Sequence, residues 1–105
     1  MIRGTIETNG VYVYILRCRD GSLYTGYTTD LMRRYAKHCA GTGAKYTKSH
    51  PPVSIAAAWQ VASKSDALRM ECRIKTLSKQ QKESLLLDPS QLCAEGETAR
   101  VVSTQ

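Results

Sequence analysis

The residues most able to do chemistry lie in one stretch, LYTGYTTDLMRRYAKH, at positions 23–38. Two tyrosines surround Gly26, and Arg34 and His38 follow, four residues apart. In a helix this spacing places two side chains on one face, one above the other. A planar guanidinium binds phosphate oxygens well, so the Arg34–His38 pair would border a phosphate site. The alternative is an ordinary solvated helix face.

The same helix carries a second cationic pair, Arg33 and Lys37. Two cationic rows on one short helix repel each other unless a bound anion relieves the repulsion. Residues 10–87 contain 13 Lys and Arg against 5 Asp and Glu, a net +8, and residues 88–105 contain 1 against 3, a net −2. This distribution favours a polyanionic partner, and nucleic acid is the commonest one. The alternative is a solvated basic surface, and the charge alone leaves the two open.

A carboxylate is the third candidate group. Apolar residues recur every three or four positions over 67–77, and Glu71 lies at the edge of that stripe. A partly buried carboxylate needs a partner. Arg69, Arg73 and Lys75 are close in sequence but are expected to point elsewhere. A salt bridge to a cation from another element and a site for Mg²⁺ or Mn²⁺ both satisfy that need, and the residues alone leave the two open.

The elements that must position these groups follow the order ββαβαα. VYVYILRC and SLYTGY, joined by an Asp-Gly turn, predict an antiparallel hairpin over residues 11–27. A helix is predicted from 28–30 to about Ala40, and GTGAKYTKSHPP is predicted to be a loop. VSIAAAWQV predicts a third strand, and further helices are predicted over 65–77 and SKQQKESLLL. The fold class is α/β in the broad sense, or α+β: a small three-stranded antiparallel sheet flanked by helices.

The hairpin brings tyrosines together. Tyr12 and Tyr14 point to one face of their strand because alternate residues share a face. The returning strand places Tyr24 near them, depending on the register. The alternative is ordinary sheet packing, since tyrosine favours strands.

The chain ends and the cysteines indicate the domain organisation and the cellular location. We expect a flexible leader over residues 1–9, one domain over 10–87 and a mobile tail over 88–105. The N-terminus does not resemble a secretory signal, and no apolar run is long enough to span a membrane. None of the four cysteines forms a C-x-x-C pair, so reduced thiols and a cytoplasmic location are expected.

Taken together, these features resemble the GIY-YIG nuclease domain over about residues 10–87. The resemblance rests on YVY at 12–14, YTG at 24–26, and then Arg34, His38 and Glu71 in order. Tyr14 and Tyr24 are ten apart, as the family's pattern requires, and the context of the glutamate is similar to that of short bacterial members. One nuclease site would account for the tyrosines, the arginine helix and the carboxylate at once.

The sequence also departs from the family pattern. Tyr12 replaces the first motif's glycine, and Thr25 replaces the second motif's isoleucine. Tyr27 stands where some members use a lysine. Some members use an asparagine beyond the glutamate, and the only asparagine of this chain is Asn9.

The resemblance implies phosphodiester hydrolysis by an activated water. Glu71 would hold one divalent cation, Mg²⁺ or Mn²⁺, and Arg34 would bind a phosphate oxygen. Tyr14 is assigned as the base, favoured as a phenolate by the metal and the arginine, with Tyr24 as its hydrogen-bonded partner, although the two roles can be exchanged. His38 would orient the water or protonate a group. Gly26 would allow the strand-to-helix turn and a close phosphate approach.

The expected partner is nucleic acid, most simply DNA. The residues expected to contact it are Tyr27, Arg33, Lys37, Lys45, Tyr46 and Lys48. We expect a structure-selective or weakly sequence-specific endonuclease of DNA repair or recombination, acting alone or with a targeting protein, without membrane or small-molecule cofactor. The alternatives are a non-catalytic nucleic-acid-binding module on the same fold and a protein-interaction adaptor.

Overall fold

The computed structural model describes residues 10–93 and 100–102. Its elements follow the predicted order with three short additions. These are one helix directly after the first helix, and a 3₁₀ helix and a short strand near the C-terminus. The elements are β1 (Val11–Cys18), β2 (Leu23–Thr28), α1 (Leu31–Cys39), α2 (Lys45–Ser49), β3 (Pro52–Val61), α3 (Lys64–Lys75), α4 (Lys79–Leu87), a 3₁₀ helix (Pro89–Cys93) and β4 (Arg100–Val101).

The strands form one antiparallel sheet in the order β2-β1-β3-β4. The three predicted strands are confirmed. Strand β1 lies between β2 and β3, and its apolar residues are buried on both faces of the sheet. In this register Tyr14 lies between Gly26 of β2 and Ala58 of β3. Among the described residues, strand β2 forms one edge of the sheet, and its Gly26 is the neighbour of the buried Tyr14.

The helices α1, α3 and α4 begin at a residue whose side chain caps the helix. Asp30 accepts a hydrogen bond from the Arg33 backbone N–H at the start of α1, and Ser63 does the same for Asp66 in α3. Ser78 and Gln81 form a reciprocal capping box on α4. These caps satisfy backbone donors that would otherwise lack a partner.

The two faces of the sheet carry different cores. Val13, Ile15 and Trp59 lie on one face and pack against α3 through Met70 and Ile74. A second, smaller cluster on the opposite face is built from Tyr14, Leu16 and Ala58, with Leu31, Tyr35 and Tyr24 packed against it. Complete burial of a side chain the size of Met or Ile contributes about 1.5–3 kcal/mol. The packing of Met70 and Ile74 on the first face therefore stabilises the position of α3.

Two regions differ from the sequence-based expectation. The segment predicted to be a loop before β3 contains α2, whose five residues are too few to show a helical period. Within the expected tail, the Trp59 Nε1–H donates to the Pro89 carbonyl at 2.8 Å, and the Val102 N–H donates to the Ala58 carbonyl at 2.9 Å. The sheet thus gains a two-residue fourth strand, whereas the expected leader, residues 1–9, lies outside the described residues.

Cys18, Cys39 and Cys72 have free thiols, as expected. Within residues 10–93 and 100–102, every helix is too short or too polar to cross a membrane.

Candidate active site

Tyr14 is the centre of the site. Its side chain is buried at the middle of β1, directly opposite Gly26 of β2. A Cβ atom at position 26 would lie 2.7 Å from the Tyr14 Oη and 2.9 Å from its Cζ, closer than real Cβ atoms approach. Gly26 is therefore required by the phenol ring that crosses it. This differs from the expected reason, since Gly26 lies inside a strand and not at a strand-to-helix turn.

The Tyr14 hydroxyl belongs to a buried chain of hydrogen bonds. It lies 2.8 Å from His38 Nε2, and His38 Nδ1 lies 2.8 Å from Thr47 Oγ1. The Thr47 hydroxyl donates to the Ala44 carbonyl at 3.2 Å, so it accepts the hydrogen of Nδ1. Nε2 is then the unprotonated nitrogen, and Tyr14 donates to it. The chain runs in one direction, from the phenol through the imidazole and the threonine to a backbone carbonyl.

Two helices and one loop hold His38 in this position. His38 lies in the last turn of α1 and is fully buried, so the solvated-face alternative is wrong for His38. It holds for Arg33 and Lys37, which are exposed. A Cβ atom at Gly43 would lie 2.6 Å from His38 Nδ1, so the loop backbone packs directly on the ring. Arg34 donates from Nη2 to the Gly43 carbonyl at 2.9 Å and fixes that loop.

Burial controls the protonation of the pair. It raises the pKa of Tyr14, with smaller increases from the nearby Tyr24 and Glu71, and only partly offset by hydrogen bonding and positive charge from Arg34. Burial also lowers the pKa of His38, assisted by the Arg34 charge. Ordinary tyrosine and histidine pKa values differ by about 3.5 units, equivalent to about 5 kcal/mol, and both shifts widen the gap. These directions favour a neutral phenol donating to a neutral imidazole, and the phenolate that a bound metal would favour stays a prediction.

Tyr24 lies beside this pair. Its ring centroid is 5.2 Å from that of His38, and it stacks on Tyr46 of α2 at 5.8 Å. The resemblance implied a hydrogen bond between Tyr14 and Tyr24. In the structure the Tyr14 hydroxyl bonds His38 instead. Tyr24 contributes ring packing, which explains why its position on the strand matters even without a shared proton.

Glu71 approaches from α3. Its side chain is 17% exposed and pairs with Lys75 Nζ at 3.3 Å. The expectation that Lys75 points elsewhere is wrong, because the two residues are four apart on one helix, and the cation comes from α3 itself and not from another element. The Glu71 charge nevertheless reaches the Tyr14 phenol, whose pKa it raises. No group of three or more Asp, Glu, His or Cys side chains suited to a metal occurs among the described residues. A single carboxylate still fits Mg²⁺ or Mn²⁺, because Mg²⁺ keeps several waters and is completed by substrate phosphates.

The expected nucleic-acid contacts divide by location. The side chains of Arg33 and Lys37 on α1, and of Lys45 and Lys48 on α2, are exposed. Tyr46 is 37% exposed, and its ring stacks on His50 at 4.1 Å. Tyr27 alternates with Gly26 on β2 and packs instead against the core beneath α3.

Sequence reasoning missed Thr47 and Gly43. Both lie in the region predicted to be a loop, where neither period nor motif indicated a contact with His38. The available signal was the GTG sequence five residues or fewer after His38, which permits a close turn of the backbone onto the helix end.

Comparison with known proteins identifies the family of the chain. The family model described as the GIY-YIG catalytic domain matches residues 10–84, which include every residue of the hydrogen-bonded chain as well as Arg34 and Glu71.

Several relatives are similar over nearly the same region. A UPF0213 protein of Halobacterium salinarum is 54% identical over 74 residues, 70% of this chain and 96% of that protein. A UPF0213 protein of Staphylococcus haemolyticus is 53% identical over 75 residues, 71% of this chain and 92% of that protein. The solution NMR structure of the UPF0213 protein BH0048 from Bacillus halodurans is 51% identical, with a TM-score of 0.50, and covers 74% of this chain and 83% of its own. The chain belongs to the GIY-YIG family.

Proposed function

We propose that this protein is a metal-dependent endonuclease that hydrolyses phosphodiester bonds in DNA. The observation that carries the proposal is the directed hydrogen-bond chain Tyr14–His38–Thr47, with Arg34 and Glu71 beside the phenol. A structural tyrosine needs only one partner for its hydroxyl. A phenol that donates to a neutral imidazole, itself fixed in one tautomer, is arranged to pass on a proton.

Proton transfer follows from this arrangement. As water attacks phosphorus, Tyr14 Oη takes the proton of the water while its own proton moves to His38 Nε2. Tyr14 remains a neutral phenol throughout, so the high cost of a buried phenolate is avoided. Tyr14 is therefore the base that contacts water, and His38 is the final proton acceptor.

Arg34 would bind a phosphate oxygen. Its guanidinium uses one N–H for the Gly43 carbonyl and retains others for the substrate. Removal of such a transition-state contact commonly lowers the rate by about 10²–10³. Glu71 would hold the divalent cation, which when bound supplies charge neutralisation at the scissile phosphate and the leaving oxygen.

The substrate would lie along the exposed basic side chains of α1 and α2. Arg33, Lys37, Lys45 and Lys48 supply phosphate contacts that carry no sequence information. We therefore place this protein among structure-selective or weakly sequence-specific nucleases of cytoplasmic DNA repair or recombination. A targeting protein would add the selectivity that the domain lacks.

The test is cleavage of labelled single-stranded, duplex and branched DNA by purified protein, with Mg²⁺, with Mn²⁺ and with chelator. Glu71→Gln is compared with Asp66→Asn, which removes a carboxylate from the same helix at a position paired with Arg69. We expect metal-dependent cleavage that is lost in Glu71→Gln and retained in Asp66→Asn.

Other outcomes assign the protein differently. Binding without cleavage under every condition would indicate the non-catalytic nucleic-acid-binding module. The absence of both binding and cleavage would indicate the adaptor.

A further inference from the structure

A pocket lies at the outer edge of β2, next to the candidate active site. Its volume is about 200 Å³, and its lining combines Leu23, Tyr24, Thr25, Tyr46, Lys75 and Lys82. Tyr24 shares a sheet face with the Tyr14 ring, whereas Leu23 and Thr25 alternate with it toward the helices α3 and α4. The pocket therefore crosses the edge strand and connects the two faces of the sheet.

The lining has a definite chemistry. Two tyrosine rings and a leucine supply flat and apolar surface, two lysines supply positive charge, and no carboxylate lines the pocket. Aromatic surface with flanking cations is the arrangement that binds single-stranded nucleic acid, where bases stack and phosphates pair with lysine.

A polar atom at the pocket also lacks a partner. Thr25 is 4% exposed, and its Oγ1 is buried without a hydrogen-bond partner within the described residues. Buried polar atoms are nearly always satisfied, so an orphan hydroxyl on a pocket-lining residue indicates a missing ligand atom or water.

We propose that this pocket binds one unpaired nucleotide next to the scissile phosphate, with Lys82 on its phosphate group. The inference rests on the proposed function and extends the substrate path from Tyr46 of α2 to Lys82 of α4, which the sequence had not indicated. A duplex is stacked and paired, so its bases cannot enter the pocket. The substrate preferred at this position is therefore single-stranded or branched DNA.

The two lysines are not equivalent. Lys75 is paired with Glu71, whereas the salt bridges of the described residues leave Lys82, which is half-buried, without a carboxylate. A cation bound by Glu71 would weaken its pair with Lys75 and release that ammonium group toward the pocket it already lines. Without metal, Lys82 is thus the principal phosphate contact.

The test measures binding of a fluorescent single-stranded oligonucleotide by anisotropy, in chelator, over a range of salt concentrations. Lys82→Gln is compared with Lys79→Gln on the same helix, where Lys79 instead donates to the Gly21 carbonyl and lies 3.7 Å from Glu83. We expect Lys82→Gln to reduce the slope of log K against log salt by about 0.7, the value for one phosphate contact on a single strand. Lys79→Gln should leave the slope unchanged, and Lys82→Arg should restore it.

Three results would overturn the proposal in different ways. If the wild type binds and the slopes of Lys82→Gln and Lys79→Gln are equal, the pocket is not the binding site, and the proposed function stays intact. An equal change on a blunt duplex would contradict the assignment to an unpaired nucleotide. No salt-dependent binding by the wild type would remove the proposed function and this inference together.

Discussion

Thr47→Val separates positioning of the proton acceptor from packing of the site. The substitution keeps a β-branched side chain of similar size but removes the hydroxyl that accepts from His38 Nδ1 at 2.8 Å. The imidazole would then keep a buried N–H without an acceptor, at a cost of about 1–3 kcal/mol. Transfer of that hydrogen to Nε2 would relieve the cost, but Tyr14 would lose the acceptor for its own proton.

The expected effect on the rate follows from the same range. A penalty of about 1–3 kcal/mol in the transition state lowers kcat by about 5- to 150-fold. KM should change little, because Thr47 bonds His38 Nδ1 and therefore lies on the other side of the imidazole from Tyr14. Single-turnover cleavage of a labelled oligonucleotide measures the rate, and ¹⁵N NMR of the imidazole reports which nitrogen carries the hydrogen.

Two variants control for structural effects. Thr47→Ser retains the hydroxyl and should recover most of the rate, whereas Thr42→Val removes an exposed threonine hydroxyl that bonds only the Lys37 carbonyl and should have no effect. Wild-type rate and tautomer in folded Thr47→Val would refute the role assigned to this threonine.

Three further predictions concern neighbouring groups. Gly26→Ala should lower the free energy of unfolding by about 1–3 kcal/mol through overpacking, measured in urea, and the loss should largely disappear in a Tyr14→Ala background; equal losses would contradict the proposed clash. Burial holds the pKa of His38 below its ordinary value of about 6.5, so on acidification the unfolded chain takes up a proton first. The free energy of unfolding should therefore fall below about pH 6.5, by at most about 1.4 kcal/mol per pH unit. His38→Gln should lack this component, and parallel pH profiles would argue against it. Lys75→Gln should tighten Mn²⁺ binding about 1.4- to 5-fold by freeing Glu71, measured by electron paramagnetic resonance, and an unchanged affinity would show that the ion pair does not compete.

Much of the fold could be predicted from local patterns. The Asp-Gly turn, the alternation in β1 and the serine caps each act within a few residues, and the hairpin and helix starts agree with them. The short pieces could not be predicted in this way. Helix α2 has too few residues for a period, and β4 forms because Val102 finds an unpaired carbonyl on Ala58 of β3, a contact between residues 44 positions apart.

The candidate site shows the same division. The spacing of Arg34 and His38 predicted a shared helix face, but burial of the histidine depends on how α1 packs on the sheet and on the loop at Gly43. The direction of the Tyr14 pKa shift also depends on burial, which spacing does not reveal. A motif therefore identifies the groups, whereas their protonation states follow from the tertiary packing around them.

The resting site is arranged to avoid a buried charge. Tyr14 and His38 are fully enclosed and neutral, and an isolated charge in their place would cost several kcal/mol. The charged groups Arg34 and Glu71 are only partly buried, and each is engaged by the protein itself, through the Gly43 carbonyl and Lys75. In the proposed mechanism, movement of a proton onto the imidazole would create a buried cation near Arg34, and the negative charge of a phosphate bound by Arg34 would offset that cost. The packing that stabilises the folded protein would thus make the proposed proton transfer depend on the bound substrate.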